Sequence, residues 1–323
     1  MKSEKEARAQ GASSEVGYLN EARMLGPLAL HSEHSRGRLY REEPHAYRTA
    51  FQRDRDRVVH STAFRRLQYK TQVFVHLEGD HYRNRLTHTL EGAQITRTIA
   101  RQLGLNQDLA ESIALAHDMG HTPFGHAGER VLAQAMSVHG GFDHNRQGLR
   151  VVDLLERRHP DYPGLNLCEE TREGMLKHGC SWAHPVPIPD LSGRRSAESQ
   201  VADASDEIAY LNHDLDDALR AGILDFEMLY ELPLLGDLAR QTRKHLAEVS
   251  EEVCRARMVS SMIDLLVTDL IGRTRALIEA EGLDSPRAVR ERPQKLVGFS
   301  PGVEEARKEV KRFLFDRFYN HPQ

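Results

Sequence analysis

Cysteine is scarce in this sequence, and that scarcity excludes two classes of protein. The three cysteines among 323 residues are Cys168, Cys180 and Cys254, and no two of them form a CxxC pair. A disulfide scaffold and a four-cysteine zinc module both need more cysteines at closer spacing. We therefore expect buried, reduced thiols in a cytoplasmic protein.

Long apolar runs and a charge excess of one sign are also missing. No apolar run approaches membrane-spanning length, and the N-terminus lacks the basic-then-apolar pattern of a signal peptide. The 44 Lys and Arg residues are balanced by 48 Asp and Glu residues, for a net charge of −4. We expect no membrane association, and no global basic field indicates nucleic acid as the main partner.

Histidine, by contrast, is abundant and clustered. The sequence holds 18 histidines, and many of them lie between His60 and His144. Since the hydrophobic share of 39% and the charged share of 28% are ordinary for a globular protein, the clustering itself calls for an explanation.

Apolar periodicity predicts an all-α fold. Apolar residues recur at three- and four-residue spacing, and alternating β-branched runs are almost absent. Asn106 is placed to cap one helix, and Gly104 is placed to end the helix before it. The predicted helices cover about 58–67, 87–103, 107–120, 127–136, 145–156, 199–221, 226–230, 238–253, 258–281 and 304–319.

The same pattern divides the chain into three regions. Residues 1–40 are polar and irregular, which indicates a flexible N-terminal arm. Residues 41–225 form the predicted core, interrupted at 180–199 by a proline-containing loop or insertion. Residues 226–323 are predicted to form further helices that pack on this core.

His117 and Asp118 suggest a metal site at the end of an apolar helix. Imidazole and carboxylate together suit Mn, Mg, Fe, Co or Ni. A hydrogen-bonded pair at a helix end explains the dipeptide equally well when it is taken alone. A turn rich in glycine and proline follows, and such a turn lets the backbone approach a ligand closely. His121 and His126 lie on this turn, and Glu129 falls three residues after His126.

The fourth ligand is expected from a helix over 202–219. At ~100° per residue, one face carries an apolar stripe of Ile208, Leu211, Leu215 and Leu219. The opposite face is polar, and spacing alone does not choose between its Asp203 and Asp206 as a ligand. A solvated acidic face is the simpler interpretation of the same pattern. The polar residues are Asp203, Asp206, Tyr210, His213, Asp214 and Asp217.

These residues resemble a known family. His88, the His117-Asp118 pair and the segment Asp206-Glu-Ile-Ala-Tyr210 are similar to the H…HD…D pattern of the HD superfamily. The segments 63–74, 85–91, 117–129 and 141–145 resemble the deoxyguanosine triphosphate triphosphohydrolase (dGTPase) family within it. This ordered similarity spans about residues 47–220.

The resemblance implies an HD-domain helical fold with additional peripheral helices, and one divalent metal ion held by His88, His117, Asp118 and Asp206. It implies proton transfer and water activation at His126, Glu129 and His144. It implies that Arg85 and His121 contact phosphate or sugar, and that Gln72 and Val73 line the 3′ side of the sugar. Recognition of the deoxyribose falls to Tyr210 and Asp214.

The implied reaction splits a deoxynucleoside triphosphate (dNTP) into deoxynucleoside and tripolyphosphate. Two alternatives stay open. One is an HD phosphohydrolase that acts on a nucleoside monophosphate or a cyclic phosphodiester. The other is a catalytically silent protein that senses nucleotides or binds DNA.

The resemblance also implies a homo-oligomer, and it raises a second dNTP as an effector. A contact with single-stranded DNA is considered for Lys308, Lys311 and Arg312, although one charged face of an amphipathic helix is the simpler interpretation. Exposed loop positions are expected for His178 and His184, and a loop anchor for Trp182. The sequence ends at Gln323 without the Gly-Met-Thr-Asp-Arg-Tyr-like motif of the family tail, so we expect a C-terminal region shorter than that tail.

Overall fold

The computed structural model describes residues 21–74, 82–176, 184–189, 192–245 and 249–319. Within these ranges the regular structure is helical, and strand-like pairing is limited to isolated bridges such as that between Arg38 and Cys168. The predicted all-α class is therefore confirmed. No helix in the described part of the chain is both long and apolar enough to span a membrane.

Thirteen α-helices are named here in chain order for the described residues. They are α1 (Ala50–Val59), α2 (Thr62–Arg66), α3 (Arg85–Gln102), α4 (Gln107–Ala116), α5 (Gly125–Ala135), α6 (His144–Arg150), α7 (Glu169–Met175), α8 (Ala197–Arg220), α9 (Phe226–Leu229), α10 (Leu235–His245), α11 (Glu251–Glu281), α12 (Pro286–Glu291) and α13 (Pro301–Leu314).

Helices α3, α4 and α8 pack against one another at the centre of the molecule. Ile99 of α3, Ala110 of α4 and Ile208 of α8 are fully buried in one shared apolar cluster. Burial of each large aliphatic side chain stabilises the fold by about 1.5–3 kcal/mol. The apolar contacts therefore fix the relative positions of the three helices.

Capping residues determine where the central helices begin. Asn84, Asn106 and Ser196 each accept a hydrogen bond from a backbone N–H in the first turn of the helix that follows. Such a cap stabilises a helix by about 1 kcal/mol. Helix α4 ends at Ala116, so His117 stands at its C-terminal cap.

Four predicted helices differ from the observed ones. The helix expected over 304–319 changes at Phe315 into a π-helical turn, Phe315–Tyr319. The helix expected over 58–67 is divided, because Ser61 accepts a hydrogen bond from the N–H of Phe64 and begins α2. The helix expected over 145–156 changes at Val151 into a π-helical turn, Val151–Leu155. The helix expected over 238–253 is not continuous, since α10 ends at His245 and α11 begins at Glu251.

The described part of the predicted N-terminal arm is packed against the core. Leu28 and Ala29 are buried, and the N–H of Leu30 donates to Glu198 of α8 over 2.9 Å. Arg38 forms a buried ion pair with Asp54. Residues 21–40 thus belong to the folded body, which the polar composition of this segment did not indicate.

Glu42 joins this N-terminal segment to two other parts of the fold. Its carboxylate accepts hydrogen bonds from Arg57 of α1, from the Tyr162 hydroxyl and from the Asn166 amide, and it also pairs with Arg53. Burial alone would raise the pKa of Glu42, but these donors hold it at about 2. The folded state therefore binds a proton at Glu42 less readily than the unfolded chain does.

We expect Glu42→Gln to remove a pH-dependent contribution to stability. The contribution is present above the ordinary glutamate pKa and is lost as pH falls toward about 2. At pH 7 the loss should be about 1.5–3 kcal/mol, as for hydrogen bonds to a charged group. Urea unfolding of the variant and of the native chain at pH 7 and pH 3 measures it. The exposed neighbour gives the control Glu43→Gln, and a difference that does not shrink at pH 3 would contradict the assignment.

Candidate metal centre and cavity

The three central helices supply all four predicted metal ligands. His88 lies in the first turns of α3, and Asp206 lies on α8. His117 and Asp118 follow directly after the last residue of α4. The packing that fixes these helices therefore also fixes the relative positions of the four side chains.

These side chains lie close together, and possible ligand atoms of His88, His117 and Asp118 all lie within 4.8 Å of one another. His88 Nε2 lies 3.0 Å from Asp206 Oδ1, although 118 positions separate the two residues in the chain. His117 Nε2 lies 3.2 Å from the same oxygen and 3.1 Å from Asp118 Oδ1. Of the two acidic candidates on α8, Asp203 instead pairs with Arg195. The structure brings together His88, His117, Asp118 and Asp206.

The donor set fits a divalent cation. His117 Nδ1 lies 2.6 Å from the Ala114 carbonyl oxygen, so Nδ1 carries the ring hydrogen and donates it. Nε2 of the neutral ring then presents a lone pair toward carboxylate oxygens that also present lone pairs. A cation between them turns this repulsion into attraction. Neighbouring ligands around an octahedral ion with bonds of about 2.1 Å lie about 3 Å apart, which matches the observed separations.

Asp118 is held as an anion by its surroundings. Burial would raise its pKa, but the neighbouring side chains of His117, Arg85 and His121 hold the pKa well below the ordinary value. Arg85 Nη1 lies 2.9 Å from Asp118 Oδ2. The pKa of His121 is lowered to about 4, chiefly by burial, so this imidazole is neutral at pH 7.

The glycines of the turn after Asp118 let other backbone segments of the protein pack directly against the turn. A Cβ atom on Gly120 would lie 2.0 Å from the His144 carbonyl oxygen and 2.2 Å from the Gly148 nitrogen. A Cβ atom on Gly128 would lie 2.0 Å from the Pro123 carbonyl oxygen. The sequence predicted close approach to a ligand, whereas at these two positions the close neighbour is backbone.

Glu129 of α5 contacts both of the predicted catalytic histidines, His126 and His144. Its carboxylate lies 2.8 Å from His144 Nδ1 and 3.2 Å from His126 Nδ1, and it accepts the backbone N–H of His144. Burial would raise the pKa of Glu129, but these hydrogen bonds hold it at about 2. The His144 ring stacks on His121 with centroids 4.0 Å apart, and His121, Glu129 and His144 form a second group that is close enough to hold an ion.

A cavity of about 960 Å³ lies over the metal centre. Its wall includes the predicted residues Gln72, Arg85, His121, His126 and Tyr210. The opposite wall comes from the C-terminal region and carries four basic side chains that the sequence did not assign to the site. They are Arg273, Lys295, Arg307 and Lys311.

Two predicted substrate residues do not line this cavity. Val73 packs against the larger apolar cluster. Asp214 is fully buried and accepts a hydrogen bond from the hydroxyl of Tyr319, whose ring stacks on Tyr210. Burial raises the pKa of Asp214 to about 7. Tyr319 is a further site residue that the sequence did not suggest, since nothing near the C-terminus marks it as a partner of α8.

The second half of the polar face of α8 is buried, and Asp203, Asp206 and Tyr210 in the first half are partly buried, so a fully solvated acidic face is not observed. His213 and Asp217 are at most 2% exposed.

Of the cysteines, Cys168 and Cys254 are buried, as expected. His184 was expected to be an exposed loop histidine, but its side chain is buried against Asp153, with 3.0 Å between Nε2 and Oδ2. Cys180, His178 and Trp182 lie outside the described residues.

Comparison with known proteins agrees with this geometry. An HD domain model matches residues 85–211, a range that contains all four predicted metal ligands. A deoxyguanosinetriphosphate triphosphohydrolase-like protein of Thiobacillus denitrificans is 51% identical over 305 residues, covering 92% of this chain and 80% of its own length. Proteins with the same description from Ralstonia pickettii and Leptospira interrogans are 50% and 44% identical, covering 92% and 93% of this chain and 78% and 80% of their own lengths.

We expect Gly120→Ala to displace α6 from the turn after Asp118, because the new methyl group would overlap two backbone atoms. Overpacking of this kind costs about 1–3 kcal/mol. The control is Gly272→Ala in α11, where nothing lies within 4 Å and alanine should stabilise the helix by about 0.5–1 kcal/mol. Thermal unfolding measures both variants. Equal melting temperatures for Gly120→Ala and the native chain would contradict the close contact.

Proposed function

The chain belongs to the family of deoxyguanosinetriphosphate triphosphohydrolase-like proteins, and from this we propose that it hydrolyses dNTPs to deoxynucleoside and tripolyphosphate with one divalent metal ion. The observation that carries the proposal is the convergence of two imidazole nitrogens and two carboxylate oxygens, 3.0–3.2 Å apart in successive pairs, beside a cavity with a basic wall.

His88 Nε2, His117 Nε2, Asp118 Oδ1 and Asp206 Oδ1 would hold the ion. When bound, it supplies Lewis-acid polarisation of a phosphoryl oxygen. Arg85 spans the ion site and the cavity, because one of its nitrogens pairs with Asp118 while its side chain also lines the cavity wall. The guanidinium is therefore placed to contact a phosphate close to the ion.

His126 is the side chain that we assign to proton donation at the leaving 5′ oxygen. It lines the cavity and is 62% exposed, so a bound substrate can reach it. Imidazole exchanges protons near neutral pH, which suits this role. The Glu129 carboxylate contacts His126 Nδ1 and orients His144, whose ring also lines the cavity and is placed to orient water.

The triphosphate is assigned to the basic wall. Arg273, Lys295, Arg307 and Lys311 line the side of the cavity formed by the C-terminal region. Arg307 is already paired with Glu207 and Glu304, so its charge is partly neutralised. Lys311 is exposed, and it forms no ion pair with any other residue in the described part of the chain. We therefore assign Lys311 a contact with the terminal phosphates, together with Lys295, which is exposed in the same way.

The sugar is assigned to the wall between Gln72 and Tyr210. Tyr210 lines the cavity, and its ring is held by stacking on Tyr319. Asp214 does not line the cavity and accepts a hydrogen bond from the Tyr319 hydroxyl, so we assign it the role of holding these rings in place beside the sugar. A ring packed against the 2′ carbon leaves no room for a ribose hydroxyl, which is the basis we propose for deoxyribose selectivity.

The homo-oligomer, the dNTP effector and the contact with DNA stay predictions.

The products of the reaction test the function. Purified protein is incubated with each dNTP singly and in pairs, with Mn²⁺ or Mg²⁺, and the products are identified by ion-exchange chromatography. We expect deoxynucleoside and tripolyphosphate. Orthophosphate or a nucleoside monophosphate without tripolyphosphate would contradict the proposal and support another HD phosphohydrolase. A lack of turnover with all four dNTPs would support a nucleotide-sensing protein.

His117→Ala should abolish both the metal content and the turnover while it leaves helicity largely intact, because His117 contacts both acidic ligands. Metal analysis, circular dichroism and the product assay measure the three quantities. The exposed histidine of the same region gives the control His139→Ala, which should retain metal and activity. Native turnover in the His117→Ala variant would count decisively against the site.

Lys311→Ala should raise KM for a dNTP by about 10-fold or more, as expected for the loss of a charge-assisted hydrogen bond of about 1.5–3 kcal/mol. Lys308 lies on the same helix and is exposed, but it pairs with Glu304 and does not line the cavity. Lys308→Ala is therefore the matched control and should leave KM unchanged. Steady-state kinetics measure KM for both variants. Equal KM values for Lys311→Ala and Lys308→Ala would refute the assignment.

A further inference from the structure

His213 of α8 lies between the metal centre and the protein surface. Its Nδ1 atom is 2.9 Å from His88 Nδ1, and its Nε2 atom is 2.5 Å from Glu91 Oε2. The side chain is 2% exposed, and its ring stands nearly perpendicular to that of His88, at 84°. Both nitrogens of this buried imidazole are thus engaged, one with a carboxylate and one with the other histidine.

Ring tautomers follow from these two contacts. Because two facing Nδ1 atoms share one hydrogen, either His88 or His213 donates between them. A carboxylate such as Glu91 only accepts, so His213 carries its hydrogen on Nε2 and donates it there. Its Nδ1 is then the acceptor, and His88 must carry its own hydrogen on Nδ1. The remaining nitrogen of His88, Nε2, therefore presents its lone pair toward Asp206.

Glu91 is itself fixed by an ion-pair network. Arg83 Nε lies 2.9 Å from Glu91 Oε2, and Arg83 Nη1 lies 2.7 Å from Asp216 Oδ2. Arg255 of α11 pairs with the other oxygen of Asp216 at 3.0 Å. A carboxylate–histidine–histidine chain thus runs from the partly exposed Glu91 to the metal centre, and its outer end is tied to α8 and α11.

We propose that His213 is a positioning residue that, with Glu91, fixes the tautomer and orientation of His88 so that His88 Nε2 is available as a metal ligand. The inference rests on the metal site of the proposed function, but not on the identity of the nucleotide. Loss of a group that orients a metal-ligating histidine typically weakens metal binding by about 10–100-fold.

Metal binding without nucleotide tests this role directly. Mn²⁺ is titrated into metal-free protein, and the dissociation constant is measured by isothermal titration calorimetry. His213→Leu removes the acceptor for His88 and should weaken binding by about 10–100-fold. His213→Asn keeps an oxygen near the position of Nδ1 and should bind Mn²⁺ more tightly than the leucine variant does. Glu91→Ala changes a side chain that is 46% exposed, so it tests the same chain with little risk to folding.

Two variants control for non-specific effects. His184→Leu removes a histidine that is equally buried and also bonded to a carboxylate, but outside the metal centre. Gln94→Ala changes an exposed side chain on α3, one turn from Glu91. Both should bind Mn²⁺ as the native chain does. In the product assay, the His213→Leu variant should need a higher Mn²⁺ concentration for half-maximal activity, with kcat recovered at saturating Mn²⁺.

Three outcomes separate the proposals. Native Mn²⁺ affinity in both His213→Leu and Glu91→Ala would overturn the positioning role and leave the metal site intact. An equal loss in His213→Leu and His213→Asn would also overturn it, because that pattern indicates a packing role. Native Mn²⁺ affinity in His117→Ala would overturn the metal site itself, and with it the inference that depends on that site.

Discussion

The site depends on one constraint, which is the repulsion between lone pairs of imidazole nitrogens and carboxylate oxygens at the end of α4. Apolar packing of α3, α4 and α8 forces His88, His117, Asp118 and Asp206 to within 3.0–3.2 Å of one another in successive pairs. Such an arrangement of neutral imidazoles and carboxylates is unfavourable without a positive charge among them. The packed core therefore holds these side chains in an arrangement whose repulsion a divalent cation would remove. Folding and metal binding are coupled because both depend on the same three helices.

Much of this architecture could be predicted from the sequence because its signals are local. The predicted cap at Asn106 and the apolar periodicity placed the central helices within a few residues. Contacts across the chain were not predictable in the same way. The break at Ser61 depends on one hydroxyl that accepts a hydrogen bond, and the docking of residues 21–40 depends on a buried carboxylate of α8 that local pattern does not reveal.

The candidate site shows the same division. The residues of the HD pattern stand in recognisable motifs, so they could be named in advance. The positions of Lys311 and Tyr319 at the site could not be predicted, because α13 and the π-helical turn Phe315–Tyr319 after it have the pattern of one ordinary amphipathic helix. Only the tertiary fold brings Lys311 to the cavity and Tyr319 to Asp214. His213 was placed on the polar face of its helix, yet periodicity cannot distinguish a solvated polar face from a buried one. Only the contacts with Glu91 and His88 reveal the difference.

Anomalous diffraction at the manganese absorption edge, from crystals grown with Mn²⁺, tests the central claim most directly. The account predicts one peak per chain, about 2.1–2.3 Å from His88 Nε2, His117 Nε2, Asp118 Oδ1 and Asp206 Oδ1. The alternative group of His121, Glu129 and His144 is also close enough to hold an ion. A peak at that group alone, or no peak at the four-residue centre, would contradict the account.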